Sequence, residues 1–441
     1  MSIRARSVAG SAAPPTPCDD ELVTDSLPWP TARRPAHASA PGDGTVAGEV
    51  DPDVDPVVVP DVDPVVVPDV DPVVDPVVDT VTLAQRLVSE ARAAGAVACG
   101  VATAAVWPEG REAFRDAIRR GLASDITMTY RNWRRATDPH DAVPGAQSLL
   151  VAAWPTRRRP AAAAPAGAAR VARYAWHDPY PDFRGALRQL ATTLKTHGFR
   201  ARVLCDDNVL NDRAAAIAAG LGPRGKSGNI LVGSWGPHVL LGSVVTNAAL
   251  RATTEPAADV CGTCTRCVRW CPTGALAGDG SLDARRCLAW LGQRGVSIPV
   301  EFRRAMGSRI YGCDECTDAC PSDVASNWGS ADSADRPSID PVWLLELDDD
   351  DAVLAAVSGW YVPRRDADVI RRNAAVVIGN TADPNDRRAR AAISHAVLYG
   401  GAQVRAHSMW AAAQLGWLEV VADGLARETD PGVWADARTW L

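Results

Sequence analysis

The sequence predicts an α/β domain, then a small cysteine-rich module, then a C-terminal stretch of α-helical repeats. Three observations carry this. Apolar residues alternate between helical and strand spacing from Thr80 to Cys205. Eight of the eleven cysteines fall between Cys261 and Cys320. Small apolar residues then recur at helical spacing through 340–425. The expected borders are a leader over 1–79, an α/β domain over 80–250, the cysteine module over 251–335 and helices over 336–441.

The leader is read as disordered. Asp and Val alternate with Pro in near repeats, as in Asp53-Val-Asp-Pro-Val-Val-Val-Pro. Proline every few residues blocks both helices and sheet ladders, and like charges keep the segment extended. Residues 1–80 hold four arginines against fifteen carboxylates, a balance of −11. The net charge of −7 therefore hides a body at +4, mildly basic and compatible with a polyanionic partner. Cys18 lies in this leader and is read as incidental.

The α/β domain follows element by element. Leu83, Leu87, Val88 and Ala91 have helical spacing over 80–95, Ala96-Val-Ala-Cys-Gly-Val-Ala reads as a buried strand, and 110–122 as a second helix. Cys99 in that strand is a small core residue rather than a ligand. A turn-rich loop from Asp138 leads to the apolar strand at Ser148-Leu-Leu-Val-Ala-Ala-Trp. A helix over 183–197 precedes the strand Ala201–Cys205, and Asp206-Asp207-Asn208 ends it before a helix at 210–219. The loop Gly220-Leu-Gly222-Pro-Arg-Gly225-Lys226-Ser227-Gly228-Asn229 has four glycines in nine residues, which lets backbone N–H groups approach an anion or a flat cofactor edge. Its spacing is not that of a Walker A loop. Only Lys195 and Lys226 among the 46 basic residues are lysines, so arginine is the default cation and each lysine stands out.

The cysteines are the most specific signal. Cys261-x2-Cys264-x2-Cys267-x3-Cys271-Pro272 has the spacing of a bacterial two-cluster ferredoxin. The second run, Cys313-x2-Cys316-x3-Cys320-Pro321, lacks a first cysteine, and Cys287, 26 residues upstream, is its replacement. In that motif the fourth cysteine of a run ligates the other cluster. One [4Fe–4S] cluster is thus expected on Cys261, Cys264, Cys267 and Cys320, the other on Cys271, Cys287, Cys313 and Cys316. A zinc site would pair two CxxC units around one ion, and disulfides would need an oxidising compartment. Neither fits eight ligands with two C-x3-C-P ends.

No uncharged apolar run approaches the ~18 residues of a membrane helix. No apolar stretch of secretory type follows Met1-Ser-Ile-Arg-Ala-Arg-Ser. A cytoplasmic monomer with no membrane contact is expected. In the C-terminal region, Arg371–Asn380 and Val404–Gly416 read as two turns of a helical repeat, each with a glycine near its end. Arginines 364, 365, 371, 372, 387, 388, 390 and 405 crowd this region, as either a solvated face or a nucleic-acid contact.

Together these pieces resemble the epoxyqueuosine reductase family, from about residue 82 to 418. The carriers are Asp138-Pro139 with Val143-Pro-Gly145-Ala-Gln-Ser148, Ala172-Arg-Tyr174-Ala, and the segment from Asp206 through Gly225-Lys226. Gly233-Ser-Trp235, Leu241-Gly242, Arg286-Cys287, Tyr311-Gly-Cys313 and Arg372-Asn373-Ala complete them. The resemblance implies an α/β cobalamin-binding domain, a two-[4Fe–4S] ferredoxin-like module and C-terminal α-helical HEAT-like repeats that help grip tRNA. Such enzymes, similar to reductive dehalogenases in their cofactors, reduce epoxyqueuosine in tRNA to queuosine, fed by an external donor such as a flavodoxin or ferredoxin.

The resemblance also implies residue roles. Asp206 falls on the family's proton donor, although its plainer role is a helix cap, which Asp207 or Asn208 could fill equally. Such an acid must hold its proton until the leaving oxygen needs it. Tyr174, Tyr180, Gly222, Gly225, Lys226, Ser227 and Asn229 fall on the cobalamin side, with tRNA phosphate as another partner for Lys226. Pro223-Arg224 stands where the family has an aromatic, and Pro181 where it has a histidine; His177 is a nearby replacement. No Asp-x-His-x-x-Gly signature offers a histidine below cobalt. Two rivals remain: the same architecture acting on a small epoxide or halide, and an electron-transfer or cobalamin-handling protein with no substrate of its own.

Overall fold

The computed structural model describes residues 79–126, 132–156, 165–253, 258–321 and 334–441. Cys18 and the leader up to residue 78 lie outside the described residues. Asp79 caps the first helix, α1 (Thr80–Ala93), by accepting from Val81 N at 3.0 Å. β1 (Ala98–Thr103), α2 (Pro108–Arg119), β2 (Ser148–Pro155) and β3 (Ala169–Val171) follow. Next come α3 (Tyr180–Thr196), β4 (Ala201–Leu204), α4 (Asp212–Ala218) and β5 (Val239–Thr246).

A four-stranded sheet ordered β1–β2–β5–β4, antiparallel at every pairing, is the centre of this region. Strand β2 shows why both of its faces must be covered. Leu150 and Ala152 join a core with Leu83 and Leu87 of α1 and Phe183, Leu187, Leu190 and Leu194 of α3. Leu149, Val151 and Ala153, pointing the opposite way, join Ala215 and Ala216 of α4. Side chains that alternate along a strand bury a helix layer on each side. Helix α4 starts later than the sequence suggests, because its cap is neither Asp207 nor Asn208: the Asn211 side chain accepts from Ala214 N at 3.1 Å. Capping therefore does not explain Asp206.

The cysteine module contributes short elements: α5 (Arg266–Trp270), α6 (Leu288–Gln293), α7 (Val300–Met306), β6 (Arg309–Tyr311) and α8 (Glu315–Asp318). After it come β7 (Ser338–Ile339) and the helices α9 (Pro341–Glu346), α10 (Asp350–Ala356), α11 (Asp368–Thr381), α12 (Arg387–Tyr399), α13 (Ala402–Gln414), α14 (Leu418–Arg427) and α15 (Pro431–Ala437). A second sheet has β3 at its centre, parallel to β6 and antiparallel to β7.

Helices α11 and α13 pack face to face, and both are buried nearly all round. Gly379 lies inside α11 rather than past its end; a Cβ there would come within 2.8 Å of Ala411 Cα. Two arginines of the cluster read as a solvated face or a nucleic-acid contact are structural instead. Arg372 is fully buried and donates to Gly292 O at 3.0 Å, Arg294 O at 2.8 Å and Val296 O. These are carbonyls at and beyond the end of α6, which the helix itself leaves unsatisfied. Arg371 pairs with Asp350 and Asp368. Arg388, Arg390 and Arg405 are likewise matched to Glu346, Glu419 and Glu428, while Arg364, Arg365 and Arg387 are exposed. No helix among the described residues is long and apolar enough to cross a membrane.

Candidate active site and cluster module

Asp206 follows the buried Cys205 at the end of β4, with φ +56. Left-handed backbone is costly for side-chain-bearing residues and best tolerated by Asn and Asp. The turn presents the carboxylate to solvent, where Tyr180, the first residue of α3, donates its hydroxyl to Oδ2 at 3.0 Å. One helical turn on, Arg184 lies over the Tyr180 ring at 5.0 Å and donates to Cys205 O at 3.2 Å, fixing both sides of the pair. Burial first, and then the charge of Asp206, raise the Tyr180 hydroxyl well above its ordinary range. It stays protonated and donates. Arg184, Arg188, Val203, Cys205, Asp206 and Asp207 line an open hollow of ≈ 300 Å³.

Pro181 sits in the first turn of α3, where a missing N–H costs nothing. His177 faces Asp335 at 3.8 Å, on the way to β7. Tyr174 accepts from Gln293 Nε2 at 2.8 Å, and its ring centroid lies 6.0 Å from that of Tyr311. Tyr311 stacks on Trp360 at 4.5 Å and accepts from Tyr361 N at 2.7 Å. Burial pushes the Tyr311 hydroxyl up to about 12, with Asp206 a further upward contribution. Thus Asp206, Tyr180, Tyr174 and Tyr311 share one electrostatic neighbourhood, with Tyr311 two residues before Cys313.

The glycine-rich loop packs on its own chain and reaches the first cysteine run. Gly222 packs on the chain, since a Cβ would stand 2.0 Å from Leu231 O, and Gly225 packs on the Leu231 side chain. Asn229 O accepts from Gly225 N at 2.8 Å, and Ser227 Oγ from Asn229 N at 3.4 Å. Lys226 Nζ donates to Gly262 O at 2.6 Å and Cys264 O at 3.0 Å, both in the first cysteine run.

None of the eight module cysteines is in a disulfide, and all are of intermediate exposure. Burial, then Cys261, Cys320 and Cys264, raise the Cys267 thiol. Burial, then Cys313, Cys287 and Cys271 ahead of Cys267, raise Cys316. The cysteines that act on Cys267 are those of its own expected set, and on Cys316 those of its own set come ahead of Cys267. Thiols crowded this way resist ionising until a cation arrives, which suits iron. No three potential ligands among the described residues are close enough for one metal ion. Cys287 holds the N-cap position of α6; burial raises its thiol, and the N–H groups of Trp290 and Ala289 work the other way. Ala275 N donates to Cys271 Sγ at 3.2 Å.

Sequence reasoning overlooked Arg184, Gln293 and Tyr311 as site residues. Only the i, i+4 spacing of Tyr180 and Arg184 on one helix face could have signalled the first.

Residues 260–323 match the family described as a 4Fe-4S double cluster binding domain, so the module is built for two such clusters. The epoxyqueuosine reductase of Gloeobacter violaceus is 33% identical over 313 residues, covering 68% of this chain and 97% of that one. That of Xanthomonas campestris is 32% identical over 345 residues, covering 76% and 96%. The match to the Bacillus cereus epoxyqueuosine reductase, at 31%, spans 64% of that relative's length. A crystal structure of epoxyqueuosine reductase with an epoxyqueuosine-modified tRNA-Tyr stem loop superposes with a TM-score of 0.74 at 25% identity, over 80% of this chain and 96% of that one. The chain belongs to the epoxyqueuosine reductase family and is an oxidoreductase.

Proposed function

We propose that this chain reduces the epoxide of epoxyqueuosine in tRNA to queuosine, with electrons passing through two [4Fe–4S] clusters to a cobalamin. The observation that carries the reading is the Asp206–Tyr180 pair, held open to solvent at a strand end and within electrostatic reach of Tyr311 beside Cys313. The eight cysteines ligate in the two crossed sets already described. Relatives over nearly their whole length, and a tRNA-bound structural neighbour, support the substrate.

The open hollow beside Asp206, polar at Arg184, Arg188 and Asp207 and apolar at Val203, suits the amide-fringed edge of a corrin ring. Tyr174 and Tyr180 would flank it; Gly222, Gly225, Ser227 and Asn229 serve it by holding their loop. When bound, cobalamin supplies a strongly reducing metal centre. The balance is two electrons and two protons: both epoxide C–O bonds break, a double bond forms between the two carbons, and the oxygen leaves as water. Asp206 gives a proton to that oxygen. The hydroxyl of Tyr180 then holds the carboxylate in place, and solvent reloads it for the second proton.

The α11–α15 helices, read as HEAT-like repeats, flank the tRNA, with exposed Arg364, Arg365 and Arg387 toward phosphate. The protein acts in the cytoplasm with an external flavodoxin- or ferredoxin-type donor. The test is anaerobic purification from cells given cobalamin, with iron and cobalt counted per chain and turnover assayed on modified stem loop. About eight irons, one cobalt and queuosine as product are expected. Eight irons without cobalt, even after cobalamin is added, would overturn the reductase reading in favour of electron transfer alone.

A further inference from the structure

Lys226 is one of two lysines in a chain whose habitual cation is arginine. Its ammonium reaches two carbonyls of the loop between Cys261 and Cys264, at 2.6 Å on Gly262 and 3.0 Å on Cys264. Its backbone N–H points at Cys261 Sγ, 3.4 Å away, the atom that stands for a cluster thiolate. The loop is tight: Cys264 N donates to Cys261 O at 2.8 Å, and Gly262 has φ +45. An ammonium offers three donors that can turn toward diverging acceptors, whereas a guanidinium presents a fixed planar fork. A second close approach keeps the glycine-rich loop in register with the module, since a Cβ on Gly228 would stand 2.9 Å from Gly280 O.

We propose that Lys226 is a positioning residue of the electron path, clamping the loop of the cluster assigned to Cys261, Cys264, Cys267 and Cys320 and raising that cluster's reduction potential. An N–H···S bond and a fixed positive charge both favour the more negative, reduced cluster. Asp259 opposes this, accepting from Cys261 N at 2.8 Å, but it is exposed and water screens it, whereas Lys226 is half-buried. The inference rests on the two-cluster reading and on neither the tRNA nor the cobalamin.

The test uses the full chain, purified without oxygen, titrated with reductant and followed by electron paramagnetic resonance, with iron counted first. In Lys226→Met, eight irons should remain while one of two midpoints falls, so that reaching the same reduced fraction takes about a tenfold change in oxidised-to-reduced ratio, ~59 mV for one electron. Two unchanged midpoints with full iron would overturn the proposal. If Lys226→Met sheds iron, Lys226→Arg and Lys226→Gln decide: a higher midpoint in Arg than in Gln supports it, and equal midpoints overturn it. Iron loss in all three would also overturn it, leaving Lys226 a structural tie. Wild-type protein without eight irons would instead refute the cluster reading itself.

Discussion

Tyr180 and Asp206 meet where α3 begins and β4 ends, hydroxyl to Oδ2 at 3.0 Å, although 26 residues separate them in sequence. The tyrosine donates and the aspartate accepts, which divides the labour between them. Asp206→Asn should lower the single-turnover rate on an epoxyqueuosine-bearing stem loop by about 10²–10⁴, the usual contribution of a general acid. Tyr180→Phe keeps the acid and loses its partner, so its loss should be smaller, about tenfold, near the ~1.4 kcal/mol of one hydrogen bond. An Asp206→Asn protein that turns over at the wild-type rate, with its cofactors bound, would remove Asp206 from the chemistry.

The crossed cysteine sets predict which substitutions are redundant. Cys320→Ala and Cys261→Ala should damage the same cluster, so the double variant should keep about the iron of either single one, roughly four of eight. Cys320→Ala with Cys313→Ala should empty both. If Cys320 instead shared its loss with Cys313, each run would serve its own cluster and the crossing would be wrong.

Arginines that look alike in sequence should separate in solution. Arg364→Glu with Arg365→Glu should weaken stem-loop binding and make the salt dependence shallower, by about one unit of log–log slope for each phosphate left without its arginine. Arg388→Glu, at a residue already matched to Asp340 and Glu346, should do much less. Equal effects at the two places would mean that binding senses only net charge.

His407 ties stability to pH. Its Nδ1 donates to Gln403 O at 2.7 Å and its Nε2 accepts from Ile298 N at 3.1 Å, with Arg303, Arg372 and Asp436 around it. Burial, then the two arginines, hold its pKa well below the ordinary histidine value. The folded imidazole stays neutral, while the unfolded one takes a proton below about pH 6.5. Stability should therefore be full above that value and fall by up to ~1.4 kcal/mol per pH unit below it. Urea midpoints at pH 7.5 and 5.5 measure the slope, and His407→Gln should flatten it. A variant with the wild-type slope would place the proton uptake elsewhere.

Much of this was legible in the sequence because it rests on local spacing. The cysteine runs, the strand at 148–154 and the helices at 80–95 and 183–197 need only neighbours a few residues apart. Strand β5 was not, although it is central. Its Gly242 reads as a breaker, yet a Cβ there would lie 2.8 Å from Leu187 and 3.0 Å from Phe183, so the glycine is what lets α3 close on the sheet. The role of Arg372 was hidden for the same reason. Its sequence neighbourhood is a basic cluster, and only the fold shows that its partners are carbonyls of α6. Lys226 stood out by composition, but its partners lie some 35 residues away on the cluster loop.

The three-stranded sheet takes one strand from each region that the sequence divides: β3 from the α/β part, β6 from the cysteine module and β7 from the start of the helices. Each strand is only two or three residues long, too short to persist without the others. The iron–sulfur segment is therefore not a cassette that can be lifted out and replaced by a free-standing ferredoxin. A graft that respected the borders at 250 and 335 would take β6 away from β3, leaving Tyr174 and Cys313 on different pieces. The spacing between Tyr174 and Cys313 is thus written into the hydrogen-bonded backbone rather than left to a linker.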